Sequence, residues 1–520
     1  MNKTEKRNSW NLAASAAMVA LMLAGCMVGP KYRQPAATVQ PPPPAYKEVP
    51  SPNAETGQWK AAQPQDSMLR GKWWEVYNDP ELNALEDKLN INNQNIKQSF
   101  ENFMAARTLI AQARSQLFPT VGTTPAYTRS HTSANAFGGG AGSGAAGAGE
   151  TNNLFALPAT VSWEPDLWGR IRSTIHEYQY NAQVSAADIE NERLTEQASL
   201  AVYFFELRGQ DALQKLYDDT IEADQKTVDL SRARYETGVD DLISLVEAEN
   251  ALQTAQAEAT SLGIARAQYE HAIAVLIGTT PTSFSVPVKP LNATAPPVPV
   301  GVPSQLLERR PDIAASERTM AAANAQIGIA VSAYYPNLTI SADAGFESTA
   351  VKNLLTWPSR FWSVGPSLSE TIFDAGLRRA TVNQYVASYN ADVAAYRQTV
   401  LTAFQQVEDN LAAERLTSKE IQQQEAAVHS AQKYLELALA RYETGVDQYL
   451  TVLVAQTTLL TDQQQLATLR TQYMTSSVQL VEALGGGWDV SQLPTPAQVS
   501  QPVTKSAIEA PNQPANQSQQ

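Results

Sequence analysis

What the chain lacks narrows its function first. It has a single cysteine, Cys26, so no disulfide can form within it. Its four histidines, His131, His176, His271 and His429, are scattered without metal-ligand spacing, and no Gly-x-Ser-x-Gly nucleophile motif is present. We therefore expect neither an enzyme nor a bound metal or cofactor. Only 17% of its 520 residues are charged and the net charge is −14, which argues against a nucleic-acid partner. Beyond the N-terminal region no stretch is long and apolar enough for a membrane-spanning helix, so any crossing must use β-strands. The run Gly138–Gly144 lacks the Lys-Ser/Thr that follows a phosphate loop and reads as a solvated hairpin tip.

The N-terminus carries Lys3, Lys6 and Arg7 ahead of an apolar run from Leu12 to Ala24, ending Leu23-Ala24-Gly25-Cys26. That is the form of a secretory signal, too short for a span. Its ending resembles a bacterial lipobox, which predicts removal of residues 1–25 and lipidation of Cys26. An ordinary signal peptide with an incidental cysteine is the other reading. Met27, rather than aspartate, after the cysteine favours the outer membrane, by analogy with lipoprotein sorting. Residues 26–65, with Pro41 to Pro44 in a row, then read as an extended, lipid-anchored tether.

The strongest pattern lies in 376–484. Val386, Val393, Val400 and Val407 recur every seven residues, break at Glu414, and resume with Ile421, Val428, Leu435 and Tyr442. After Glu443-Thr444-Gly445 a second series runs Val446, Leu453, Leu460, Ala467, Met474, Val481. Such a repeat predicts long helices that supercoil around partners. At 1.5 Å per residue, a helix over 376–443 would be roughly 100 Å long.

The pattern is duplicated. Arg234-Tyr235-Glu236-Thr237-Gly238-Val239-Asp240 recurs as Arg441-Tyr442-Glu443-Thr444-Gly445-Val446-Asp447, at an offset of 207. Gly169 and Arg172 match Gly376 and Arg379 at the same offset, and Phe118-Pro119 matches Tyr335-Pro336. The chain thus divides into a signal (1–25), a tether (26–65), a first repeat (66–278), a proline-rich linker (279–303), a second repeat (304–488) and a disordered tail (489–520). Each repeat holds a helix (73–118; 312–335), a β-hairpin (120–164; 337–371), a long helix (170–236; 376–443) and a return helix (240–277; 446–484).

In 337–347, Leu338, Ile340, Ala342, Ala344 and Phe346 alternate with Thr339, Ser341, Asp343, Gly345 and Glu347. Trp362, Val364, Pro366 and Leu368 alternate with small polar residues in 361–371; in the first copy Phe155, Leu157, Ala159, Val161 and Trp163 alternate with Leu154, Ala156, Pro158, Thr160 and Ser162, where Leu154 and Pro158 blur one face. Strands of about ten residues with one apolar face fit a bilayer crossing. Four strands cannot close a barrel, which needs about eight or more, and an open edge cannot face lipid. Copies of the chain must therefore join, with the Thr, Ser, Asp and Glu face turned to a wet lumen.

Together with the lipobox, Gly29-Pro30-Lys31-Tyr32, Trp73-Trp74, Trp163–Gly169, Leu306–Ile313 and both Arg-Tyr-Glu-Thr-Gly-Val copies give the chain a resemblance to the TolC-like outer membrane factor family, in its lipoprotein (OprM/NodT-like) branch. It covers nearly the whole mature chain except the tail. The resemblance implies an α+β membrane protein: a homotrimer with a twelve-stranded outer-membrane β-barrel on a long periplasmic α-helical coiled-coil barrel. It implies the passive exit duct of a tripartite efflux pump, docked to a periplasmic adaptor and an inner-membrane, RND-type transporter. The docking tips correspond to Arg234, Tyr235, Gly238, Arg441, Tyr442 and Gly445; the same residues read by themselves as helix-ending turns. The family's aperture closes through a leucine ring and an aspartate ring just past the second tip. Leu450 matches the leucine, whereas Val454 stands at the aspartate position and Glu247 is its equivalent in the first copy. The acidic ring is then moved to Glu247 or absent. The competing function is a lipid-anchored periplasmic coiled-coil scaffold without a pore; the strand alternation favours the duct.

Overall fold

The computed structural model describes residues 27–39, 46–48, 71–131, 151–291, 295–296, 298 and 305–502. Cys26, the signal, Pro41 to Pro44, the Gly138–Gly144 run and 503–520 lie outside the described residues.

The first repeat folds as α1 (Pro80–Asn92), α2 (Gln94–Ser115), β1 (Thr120–Thr123), β2 (Ala126–His131), β3 (Thr151–Trp163), α3 (Arg170–Glu236) and α4 (Leu242–Leu276). The second folds as α5 (Leu306–Arg309), α6 (Pro311–Ser332), β4 (Asn337–Ser348), β5 (Arg360–Ser369), α7 (Leu377–Glu443) and α8 (Tyr449–Ala483), and α9 (Pro496–Val499) follows. The copies match in size. Both α3 and α7 have 67 residues, and both α4 and α8 have 35. One sheet caps the far end of the helical body, and two helical hairpins form the other end.

The main core lies midway, where α1, α3, α7 and α8 meet around Trp73, Trp74, Phe204, Phe205, Val400, Val407 and Met474. Trp73 and Trp74, and likewise Phe204 and Phe205, meet edge to face at 81° and 74°. A second cluster near the tips holds Val228, Leu245, Leu252, Tyr442, Tyr449 and Val452. The break at Glu414 does not interrupt α7. Glu414 occupies the core face, and burial pushes its carboxyl up to about 7.

Three expectations need correction. The helix expected over 73–118 is three pieces: a 3₁₀ turn at Trp73–Tyr77, then α1 and α2. Asn93 divides the last two, because its side chain accepts from the Asn95 and Ile96 N–H groups as an N-cap. The first strand is likewise split into β1 and β2 around Pro125, which has no N–H for the ladder.

The tail is not disordered through 489–502. Val499 is buried, Arg107 donates to the carbonyls of Val499 and Gln501, and Gln183 donates to that of Pro494. The described parts of the tether pack against the body. Val28 N donates to Trp168 O at 3.1 Å, Asn324 donates to Pro30 O, Tyr32 donates to Glu317, and Glu408 accepts from the N–H groups of Lys47 and Glu48. A Cβ on Gly169 would lie 2.7 Å from Met27 Cα, so glycine there lets the two backbones touch. The segment therefore descends from the foot of the sheet along α6 and α7.

Candidate functional site

The sheet is ordered β1-β3-β4-β5, with β2 also on β3, and all its pairs are antiparallel. Directly paired residues share a face, so register decides whether the two copies agree. They do. Val121, Val161, Ala342 and Val364 form one cross-strand row, and Ala159, Ala344 and Trp362 form another. On the opposite face Thr160, Asp343 and Ser363 align, as do Ser162, Ser341 and Gly365. One face is thus apolar and the other mainly small and polar, apart from Leu154, Ala156 and Pro158 of β3 on the polar side. The apolar face is bare in the single chain: Trp362 is 75% exposed and Leu368 68%. At about 3.3 Å per residue, β4 reaches roughly 40 Å, enough for a bilayer core. Both outer edges, β1/β2 on one side and β5 on the other, pair with only one neighbour.

Aromatic rings mark both ends of the sheet. Trp168 stacks on Tyr335 at 4.8 Å and donates to Pro336 O at the helical end. Tyr127 stacks on Phe155 at 4.7 Å, and Arg360 sits over Trp357, toward the other.

At the helical tips Gly238 and Gly445 both take φ of 75° with open space around them, ending α3 and α7 in the left-handed conformation. The side chains of the two copies diverge. Tyr442 is buried; its hydroxyl donates to Asp240 Oδ2 at 2.6 Å and lies 3.2 Å from Ser231 Oγ. Arg234 covers the Tyr442 ring at 4.6 Å and donates to the same Asp240 oxygen at 2.9 Å. Burial, and then the Asp240 carboxylate, raise the Tyr442 hydroxyl's pKa. The second copy's tyrosine is therefore tied to the first copy's arginine and aspartate. Tyr235 by contrast is 42% exposed, and Arg441 reaches only Asp447, across its own turn, at 2.6 Å. The side chains of Arg234 and Tyr442, both in the expected docking set, join the two hairpins here. Of that set, Tyr235, Gly238, Arg441 and Gly445 are exposed.

Leu450 and Val454 lie exposed on one face at the start of α8, at 53% and 49%. Glu247 is half-buried on α4, near Tyr449, whose hydroxyl it helps hold un-ionised after burial and Asp224. Past Val454 the exposed face of α8 carries Thr457, Thr458, Thr461 and Thr468, each hydroxyl donating to the carbonyl four residues before. The sequence reading missed the Tyr442–Asp240–Arg234 knot. Its signal was present: Tyr442 stands on the heptad series, and a tyrosine in a core needs a polar partner for its hydroxyl.

The outer membrane efflux protein family matches residues 85–279 and 302–486. The probable efflux pump outer membrane protein TtgC of Pseudomonas putida is 32% identical over 478 residues, 91% of this chain and 95% of its own length. Outer membrane protein OprJ of Pseudomonas aeruginosa is 31% identical over 486 residues, 91% of this chain and 96% of its own. The solved outer-membrane channel OprN superposes with a TM-score of 0.78 at 25% identity, over 89% of this chain and all of that one.

Proposed function

The chain belongs to the outer membrane efflux protein family, and on that premise we propose how it assembles and docks. It is an outer-membrane efflux channel and not an enzyme, so the scaffold without a pore is set aside. Three copies join edge to edge, β5 of one on β1/β2 of the next, and close a barrel. The observation that carries this reading is the register-matched sheet with two open edges: its apolar rows meet lipid and its Thr, Ser and Asp rows line water. Cys26 carries the lipid anchor. Met27 beside Gly169, at the foot of the sheet, supports an anchor at that end of the molecule.

At the far end a periplasmic adaptor seats on the tips, engaging Tyr235, Arg441 and the Gly238 and Gly445 turns, and an RND-type inner-membrane transporter drives the flow. Leu450 and Val454 form an apolar constriction, with Glu247 of the first copy near Tyr449 beside it. A leucine–valine constriction closes by excluding water, without the repulsion between carboxylates of an acidic ring. Planar-bilayer recording tests the assembly. The purified chain should give discrete conductance steps, and replacing Asp343 with lysine should alter their ion selectivity. A preparation that inserts but never conducts would contradict the proposal.

A further inference from the structure

The packing between the helices has one gap near the tips. Between the tip cluster and a smaller one around Tyr217 and Ala259 lies a hollow of about 340 Å³, walled by α3, α4 and α8. Ala251, Ala255, Leu453 and Leu460 give it apolar walls, and Thr220, Asn250, Thr254 and Gln456 add polar groups. Into it, from α3, comes Asp224, a carboxylate only 7% exposed.

Asp224 has no hydrogen-bond or ion-pair partner among the described residues; burial alone acts on it, holding its carboxyl at about 6. The basic residues of the same stretch are engaged elsewhere: Lys215 with Asp219, Lys226 with Glu222, Arg232 with Glu249. The other titratable groups around the hollow are Tyr217 on α3, Glu258 on α4 and Tyr449 on α8, with Glu247 beyond Tyr449; none carries positive charge. The duplication adds an independent point. At the offset of 207, the counterpart of Asp224 is Ala431, a buried core alanine. An unpaired carboxylate on a core position costs stability, so packing does not explain it.

We propose that this hollow binds a small amphipathic organic cation, an amine whose ammonium pairs with Asp224 and whose apolar body fills the space between α4 and α8. A bare divalent ion is not favoured, because among the described residues no group of three or more His, Cys, Asp or Glu is placed to hold one. The proposal stands on the protomer's own packing and is independent of how the chain docks. The ionised carboxylate is needed, so binding strengthens as pH rises through about 6.

The test uses the full-length assembled protein in detergent, titrated calorimetrically with 4-phenylbutylamine and, in parallel, with 4-phenylbutanol. Saturable binding of the amine is expected, weakened at least tenfold in Asp224→Asn and absent for the alcohol. Equal binding in Asp224→Asn, equal binding of the alcohol, or no saturable binding of the amine would each overturn the proposal. Ala251→Phe, which fills the hollow and keeps the carboxylate, should abolish binding as well. It carries the test if Asp224→Asn fails to assemble, and undiminished binding in it would overturn the proposal.

Discussion

The two tips share seven identical residues yet do different work. Tyr442 lies in the tip core between Arg234, Asp240 and Ser231, while Tyr235 faces outward. Arg234 and Arg441 each pair with the aspartate of their own turn, but only Arg234 also lies over a ring of the other hairpin, that of Tyr442. The cause is the neighbourhood. Tyr442 packs edge to face on Tyr449 at 5.7 Å, but the residue at the matching place beside Tyr235 is Leu242, itself exposed. One gene segment, copied, became an internal clasp in one place and an outer surface in the other. Similar divergence runs down the helices: Leu207 in the first copy is Glu414 in the second, and Ala431 in the second is Asp224 in the first.

The sharpest break of this comparison is paired truncation. Tyr442→Ala should destabilise the tips by about 3–5 kcal/mol, as core aromatics do, whereas Tyr235→Ala should fall within about 0.5 kcal/mol, as surface changes do. Hydrogen exchange of the amides flanking both turns measures it, and equal losses would erase the distinction. Restoring the first copy's residue, Glu414→Leu, comes next. A buried carboxyl raised to about 7 binds more protons folded than unfolded, so stability falls as pH rises from the usual glutamate range through about 7. Glu414→Leu should remove that slope and add up to about 3 kcal/mol above pH 7; thermal melts from pH 4.5 to 8 read it.

Where the copies agree, they should respond alike. Valine at Gly238 or Gly445 forces a branched side chain into the left-handed region, at about 1–2 kcal/mol or somewhat more each. The two variants should match in stability, and a large difference in melting temperature would mean the turns are not equivalent. Smallest in stability is Asp447→Asn. It loosens only the exposed Arg441 pair, so melting should not move, while export in cells should drop if the adaptor reads that turn.

Much of this was legible in the sequence. The heptads marked both long helices to within a residue or two, and period-two alternation marked β4 and β5, because each pattern repeats many times. A heptad position says which side of a helix turns inward, not whether anything stands opposite. That is why Tyr235 and Tyr442 looked alike. Asn93 was invisible for a different reason: a single cap can divide a helix whose apolar spacing runs on across it. The packing of 27–39 and 489–502 rests on backbone groups meeting distant side chains such as Asn324 and Arg107, which proline- and glutamine-rich composition does not announce.

Every part of the duct depends on sister chains completing the two open edges of the sheet. Native mass spectrometry of the protein, extracted from outer membranes in mild detergent, weighs that particle directly. A mass of three chains, each carrying lipid at Cys26, is expected. A stable single chain as the membrane-inserted form would contradict it.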